Sequence, residues 1–191
     1  GLLDKKGFDK SGLIYASATK EGDEYRSQMF FSDSSDEFNT SRSVDNMVKT
    51  GKKPNIGTFA VDTLNNILYY TKCINNENND CFIYYSVFKK DKWKSKGLLP
   101  ISDRYTDAAH PALSENGKRL YFTSNRAGGY GGSDIWYIEK KQNGKWDYTP
   151  INAGAVVNTA GNEAFPYVVG NTLIFASDGG TSLFRELAGH I

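Results

Sequence analysis

His110-Pro111-Ala112-Leu113-Ser114-Glu115-Asn116-Gly117-Lys118-Arg119-Leu120-Tyr121-Phe122-Thr123-Ser124-Asn125-Arg126 is the stretch on which the fold turns. The pair Asn116-Gly117 separates two apolar runs, and this dipeptide is suited to the two positive φ angles of a type I′ hairpin turn. The reading is a strand near Pro111 to Leu113, a turn, and a second strand over residues 119–124. Downstream, Asp134-Ile135-Trp136-Tyr137-Ile138-Glu139 makes a third strand, and Gln142-Asn143-Gly144-Lys145 repeats the Asn-Gly signal before a fourth at Lys145 to Tyr148. The unbroken apolar run from Ile135 to Ile138 fits a sheet covered on both faces, where strict alternation is not required.

This four-stranded pattern recurs. Leu120-Tyr121-Phe122 has counterparts at Leu68-Tyr69-Tyr70 (120 − 68 = 52) and Leu173-Ile174-Phe175 (173 − 120 = 53), and a weaker one at Ile14-Tyr15 (68 − 14 = 54). Ile135, Ile83 and Met29 follow Tyr121, Tyr69 and Tyr15 by 14 residues each, and Trp146 follows Trp93 by 53 (146 − 93). Independent markers in one register describe a repeat, and four short antiparallel strands per repeat describe a propeller blade. The expected fold class is all-β, a β-propeller of four-stranded antiparallel blades. Blades are expected at about 1–54, 55–108 and 109–161, with a partial blade at 162–180 and residues 181–191 uninterpreted. Dividing 191 residues by about 53 gives about 3.6 repeats, fewer than the roughly four to eight of closed rings, so an incomplete ring is expected. The polar connection 37–58 reads as a surface loop with a short helix at 44–48.

Composition agrees and excludes several classes. The chain carries 11 Phe, 12 Tyr and 3 Trp beside 19 Gly, a mixture of strand-favouring and turn-favouring residues. Lys+Arg 23 against Asp+Glu 22 leaves a net charge of +1, without the basic footprint of a nucleic-acid or anionic-membrane binder. No stretch has the length of a transmembrane helix, and Gly1-Leu2-Leu3-Asp4-Lys5-Lys6 is neither a signal peptide nor a lipobox, so a mature protein or an excised piece is expected.

Chemical motifs are sparse. Residues 128–132 are glycine-rich, but Asp134 follows where a phosphate loop places a third Gly, and a strand follows where a helix belongs. Asp134 reads instead as a carboxylate accepting N–H groups of that loop. Ser114-Glu115-Asn116-Gly117 has a faint likeness to the Asp-box turn of sialidases, without the Trp expected after it. There is no Gly-x-Ser-x-Gly elbow. His110, near Asp107, reads as a structural or rim histidine at a strand entrance. Cys73, Cys81, His110 and His190 lack zinc-ligand spacing. The chain is therefore expected to be non-enzymatic, with no catalytic, metal or cofactor site.

The quoted stretch resembles the repeat of TolB-type, WD-like β-propellers. With Gly128-Gly129-Tyr130-Gly131-Gly132-Ser133-Asp134-Ile135-Trp136 and Val157-Asn158-Thr159-Ala160-Gly161-Asn162-Glu163-Ala164-Phe165-Pro166-Tyr167, it resembles the propeller of OmpA-family envelope lipoproteins, including those of type IX secretion and gliding machinery. The match covers about residues 55–180 and departs from the pattern after Gly180. The resemblance implies a periplasmic, outer-membrane-associated protein-interaction scaffold whose partners are envelope or secretion-system proteins. No nucleic acid is expected as a partner, and peptidoglycan only where a separate OmpA-like domain exists. Candidates for an exposed interaction face are Arg104, Tyr105, Asp107, Asn125, Arg126, Tyr130 and Glu163. A carbohydrate-binding or glycoside-processing propeller is the alternative, since aromatics stack on sugar rings. Cys73 and Cys81 align with Asn125 and Ser133 (73 + 52, 81 + 52), the ends of the glycine-rich loop, so a disulfide closing residues 74–80 is expected in an oxidising periplasm.

Overall fold

The computed structural model describes residues 12–21, 24–33, 41–43, 55–74, 80–90, 92–101 and 106–179. Among them the regular structure is strand throughout, and no helix is long and apolar enough to cross a membrane. The expected helix at 44–48, Arg104, Tyr105 and residues 181–191 lie outside the described residues. Contacts divide the chain into two compact units, Gly1–Leu98 and Leu99–Ile191.

In the first unit, β1 (Gly12–Glu21), β2 (Glu24–Asp33) and β3 (Ser41–Ser43) form one antiparallel sheet. A second holds β4 (Asn55–Asp62), β5 (Ile67–Cys73), β6 (Cys81–Lys89) and β7 (Lys92–Leu98) in sequence order. In the second unit, β8 (Ala109–Leu113), β9 (Arg119–Ser124), β10 (Asp134–Lys140) and β11 (Trp146–Asn152) form the third sheet. A fourth pairs β12 (Glu163–Val169) with β13 (Thr172–Ser177). Met29 corresponds to Ile83 and Ile135, so β1, β2 and β3 stand where the second, third and fourth strands of the later sheets stand.

The register of the first sheet differs from the repeat spacing by one residue. Ile135 pairs with Thr123, two after Tyr121, whereas Met29 pairs with Ala16, one after Tyr15. The cause is the connection: only residues 22 and 23 separate β1 from β2, against a nine-residue loop between β9 and β10. Ile14, not Tyr15, therefore matches Tyr121, and Tyr15 with Phe30 matches Phe122 with Trp136.

The Asn-Gly turns also differ from the expected type. Only Gly117 (φ 66°) and Gly144 (φ 76°) are left-handed, while Asn116 and Asn143 are not. The N–H of Gly117 donates to Ser114 O and that of Gly144 to Lys141 O, both at 2.8 Å, closing ordinary turns that end on the glycine. Each Asn acts through its side chain: Asn116 Oδ1 accepts from Lys118 N–H (2.9 Å) and Asn143 Oδ1 from Lys145 N–H (3.1 Å).

Packing follows one rule in both units. In the first, Ile14 and Met29 of one sheet pack against Leu68 and Tyr70 of the next, with Ile56 in the same buried cluster. In the second, Ala112, Tyr121 and Ile135 pack against Val168, Leu173 and Phe175. The face of one sheet carrying the Ile14 or Tyr121 position meets the leucine and aromatic face of its successor. Burying such side chains is worth about 1.5–3 kcal/mol each, which makes sheet stacking the main stabilising term.

Candidate interaction face

The loops at one end of the second unit bring together Asp107, Asn125, Arg126, Tyr130 and the backbone around Glu163. The entrance to β8 and the exit of β9 are tied by two bonds: Asp107 N–H donates to Asn125 Oδ1 (2.9 Å), and Ser124 Oγ–H donates to Asp107 O (2.5 Å). The same device recurs 53 residues after Asn125 at Asp178, which accepts from the N–H (2.5 Å) and side-chain amide (2.9 Å) of Asn162. These bonds hold the Asp178 carboxyl below the usual carboxylate range.

Asp134 organises the glycine-rich loop. It is 2% exposed and accepts from Tyr130 N–H (2.6 Å), Gly131 N–H (3.0 Å) and the Asn152 amide (2.8 Å). Asn152 in turn accepts from Asn158 and from Gly154 N–H, both at 2.8 Å. Asn158, also 2% exposed, pairs its amide with the Ile135 backbone like an extra strand residue, accepting from N–H (2.7 Å) and donating to O (2.9 Å). The loop thus joins a continuous polar network, and satisfied networks of this kind rigidify what they connect.

The loop is also locked to the next sheet. Gly132 N–H donates to Gly161 O (2.9 Å), Glu163 N–H donates to Ser133 O (2.7 Å), and Ser133 bridges Asn162 in parallel. At Gly131 a Cβ would press into the backbone oxygens of Gly161 and Thr159, so only glycine fits.

Of the expected face residues, Asn125 and Tyr130 are exposed, Tyr130 at 53%, and Asp107 is half-buried. Arg126 is half-buried and committed. Its guanidinium donates to Ile101 O (2.9 Å) and Ser124 Oγ (3.1 Å), and it lies 5.1 Å from the Phe122 ring centroid and 5.3 Å from that of Trp136. Glu163 does not lie on an exposed face: it is 0% exposed. It accepts from Thr159 N–H (3.0 Å), Thr159 Oγ–H (2.6 Å) and Ser177 Oγ–H (2.6 Å), because a buried carboxylate must be saturated with donors. Asn152, Asn158, Thr159, Ser177 and Asp178 complete the site without having been singled out; the repeat of Ser124-Asn125 as Ser177-Asp178 was the signal for the last two.

His110 and Phe165 occupy equivalent bulges, both left-handed at φ 54° and each followed by proline. Their rings meet at 4.0 Å between centroids, and His110 Nδ1 lies 3.2 Å from Thr123 Oγ1. Burial pushes the His110 pKa down. In the first unit, Cys73 and Cys81 are joined by a disulfide at the pair of positions that Asn125 and Ser133 occupy in the third sheet.

No protein-family model matches the chain, and no curated protein does. Among solved structures, the chain is similar to a TolB protein of Agrobacterium tumefaciens, with a TM-score of 0.54 and 18% identity over 86% of this chain and 50% of that one. It is also similar to TolB of Acinetobacter baumannii, with a TM-score of 0.48 and 17% identity over 87% of this chain and 35% of that one. The chain thus spans about half the length of the first. Together with the stacked antiparallel sheets, the first likeness gives the fold: a TolB-like β-propeller.

Proposed function

We propose that this chain is a non-catalytic protein-interaction scaffold of a bacterial cell envelope, acting in the periplasm in association with the outer membrane. More specifically, we propose that it is the propeller part of an OmpA-family envelope lipoprotein of the type IX secretion and gliding machinery. The observation that carries the scaffold reading is how the loop end is built. Asp134 and Glu163 are both saturated by hydrogen bonds that hold backbone in place, and Tyr130 stands 53% exposed on that rigid rim. Carboxylates used in this way serve shape, and an exposed aromatic on a rigid loop is suited to protein contact. The large aromatics Tyr69, Tyr70, Tyr121 and Phe122 are sheet core, which favours protein contact over sugar stacking.

The test is recovery of the tagged chain from envelope extracts, with bound proteins identified by mass spectrometry. An outer-membrane or secretion-system protein is expected with the native chain and not with Tyr130→Ala, a change that removes no backbone bond. Recovery of the native chain alone, or equal capture by both, contradicts the reading. Binding on a glycan array would favour a carbohydrate-binding module instead.

A further inference from the structure

The two Asn-Gly turns of the third sheet are alike in sequence and differ in what holds them. An asparagine followed by glycine carries a latent reaction: the glycine peptide nitrogen can attack Cγ of the asparagine side chain and close a cyclic imide. Glycine permits this most readily, since no Cβ crowds the attacking nitrogen. A fold slows the reaction by fastening the side chain and by occupying the nitrogen.

In both turns the attacking nitrogen is bonded equally, Gly117 N–H to Ser114 O and Gly144 N–H to Lys141 O, each at 2.8 Å. The side chains are not. Asn116 Oδ1 accepts from Lys118 N–H (2.9 Å) and also from Ser114 Oγ–H (2.8 Å). Ser114 is 3% exposed and its Oγ accepts from Arg119 N–H (2.9 Å), so the Asn116 carboxamide is fastened to the start of β9, beside a buried Gly117. Asn143 Oδ1 accepts only the longer bond from Lys145 N–H (3.1 Å) among the described residues. Residues 141–145 are all exposed, and nothing lies within 4 Å of where a Cβ on Gly144 would stand. Charge acts in the same direction. Each pair is followed by a lysine, Lys118 or Lys145, but Asn116 is preceded by the Glu115 carboxylate and Asn143 by neutral Gln142. The attacking nitrogen must lose its proton, and a nearby anion disfavours that loss.

We propose that Asn143 is a self-modification site whose only co-reactant is water. Gly144 N bonds to Asn143 Cγ, and the side-chain nitrogen departs with the proton of that N–H as ammonia. Water then opens the imide at either carbonyl, leaving aspartate or isoaspartate, while Asn116 stays an amide in the folded chain. The product sets a carboxylate at the tip of the β10–β11 hairpin, between Lys141 and Lys145. Its isoaspartyl form also adds a methylene to the main chain, in a turn closed by Gly144 N–H to Lys141 O and Lys141 N–H to Lys145 O (2.8 Å).

The test is incubation of the native chain in mildly alkaline buffer, followed by peptide mapping that separates asparagine, aspartate and isoaspartate at each position. Asn143 should convert and Asn116 should lag by about tenfold, the extra hydrogen bond and the burial of Gly117 having to be undone first. The same chain held in denaturant should narrow that gap, because both pairs then stand in solvent. A native chain in which Asn143 does not convert, conversion at Asn116 as fast as at Asn143, or a gap equally wide in denaturant overturns the proposal.

Discussion

Two loops at equivalent places in the repeat, residues 73–81 and residues 125–133, solve one problem by different chemistry. Each connects the second and third strands of a four-stranded sheet, and each must hold its ends together. The first does so with a covalent bond between Cys73 and Cys81, which face each other in the β5 and β6 register, and with Ile74 N–H donating to Asp80 O at 2.8 Å. The second has Asn125 and Ser133 at those positions and closes through the Asp134 carboxylate, where the first has Phe82. A disulfide asks nothing of the residues between its ends, and residues 74–80 contain no glycine. A carboxylate clamp demands N–H groups that point inward and a chain thin enough to approach the next sheet, hence four glycines between residues 128 and 132. The covalent clamp joins two strands of one sheet; the hydrogen-bonded loop also belongs to its neighbour.

The contrast is broken hardest at Asp134. Asp134→Ala leaves three donors without their acceptor, and hydrogen bonds to charged groups contribute about 1.5–3 kcal/mol each, so a loss of about 3–5 kcal/mol is expected in chemical denaturation. An unchanged midpoint would mean the glycine contacts alone close the loop. Reducing Cys73–Cys81, or replacing both by Ser, comes next. Opening a loop this short costs about 2.5 kcal/mol in the chain-entropy model, and mass spectrometry with and without reductant should show a two-hydrogen difference. An unchanged mass would show that the bond is not formed, and an unchanged midpoint that the covalent clamp is dispensable.

A glycine pair sharpens the comparison further. Gly131→Ala drives a methyl into neighbouring backbone and should cost about 2 kcal/mol. Gly128→Ala, left-handed at φ 90° with open space around it, should cost only about 1 kcal/mol. Equal effects would show that conformation, not the approach of the next sheet, selects glycine here. The smallest effect concerns His110. Burial lowers its pKa in the fold, so the unfolded chain binds more protons as the pH falls through the ordinary value near 6.5. Stability should decline there as the pH falls and level off below the folded-state pKa. His110→Asn, which tolerates the left-handed backbone, should flatten that slope in denaturation curves taken between about pH 7 and pH 5.

The sheet pattern was legible because strand pairing depends on apolar spacing, which Leu120-Tyr121-Phe122 and Ile135 carry at fixed offsets in successive repeats. Asp134 was legible as an acceptor because a carboxylate at the end of a glycine loop has few other partners within reach. Glu163 was not, since a fully buried glutamate is recognisable only once Thr159 and Ser177 are seen to converge on it. Arg126 read as a rim charge for the same reason: its partners Ile101 and Phe122 are distant in sequence or hidden in the sheet. The Asn-Gly turns misled because an asparagine side chain can accept a hydrogen bond as readily as its backbone can turn left-handed. The one-residue register change in the first sheet depends on a connection length that apolar markers do not report.

The glycine-rich loop has a last consequence, for how long its amide hydrogens stay in place. By composition, residues 128–132 belong with the linkers that exchange with solvent as fast as an unfolded peptide. Yet the hydrogens of Tyr130, Gly131 and Gly132 are each held by an acceptor belonging to a packed sheet or its neighbour. Exchange at Gly132 is coupled to parting the third sheet from the segment that leads into the fourth, and exchange at Tyr130 and Gly131 to release of the Asp134 carboxylate, so this exposed stretch is expected to keep its label longer than its composition suggests.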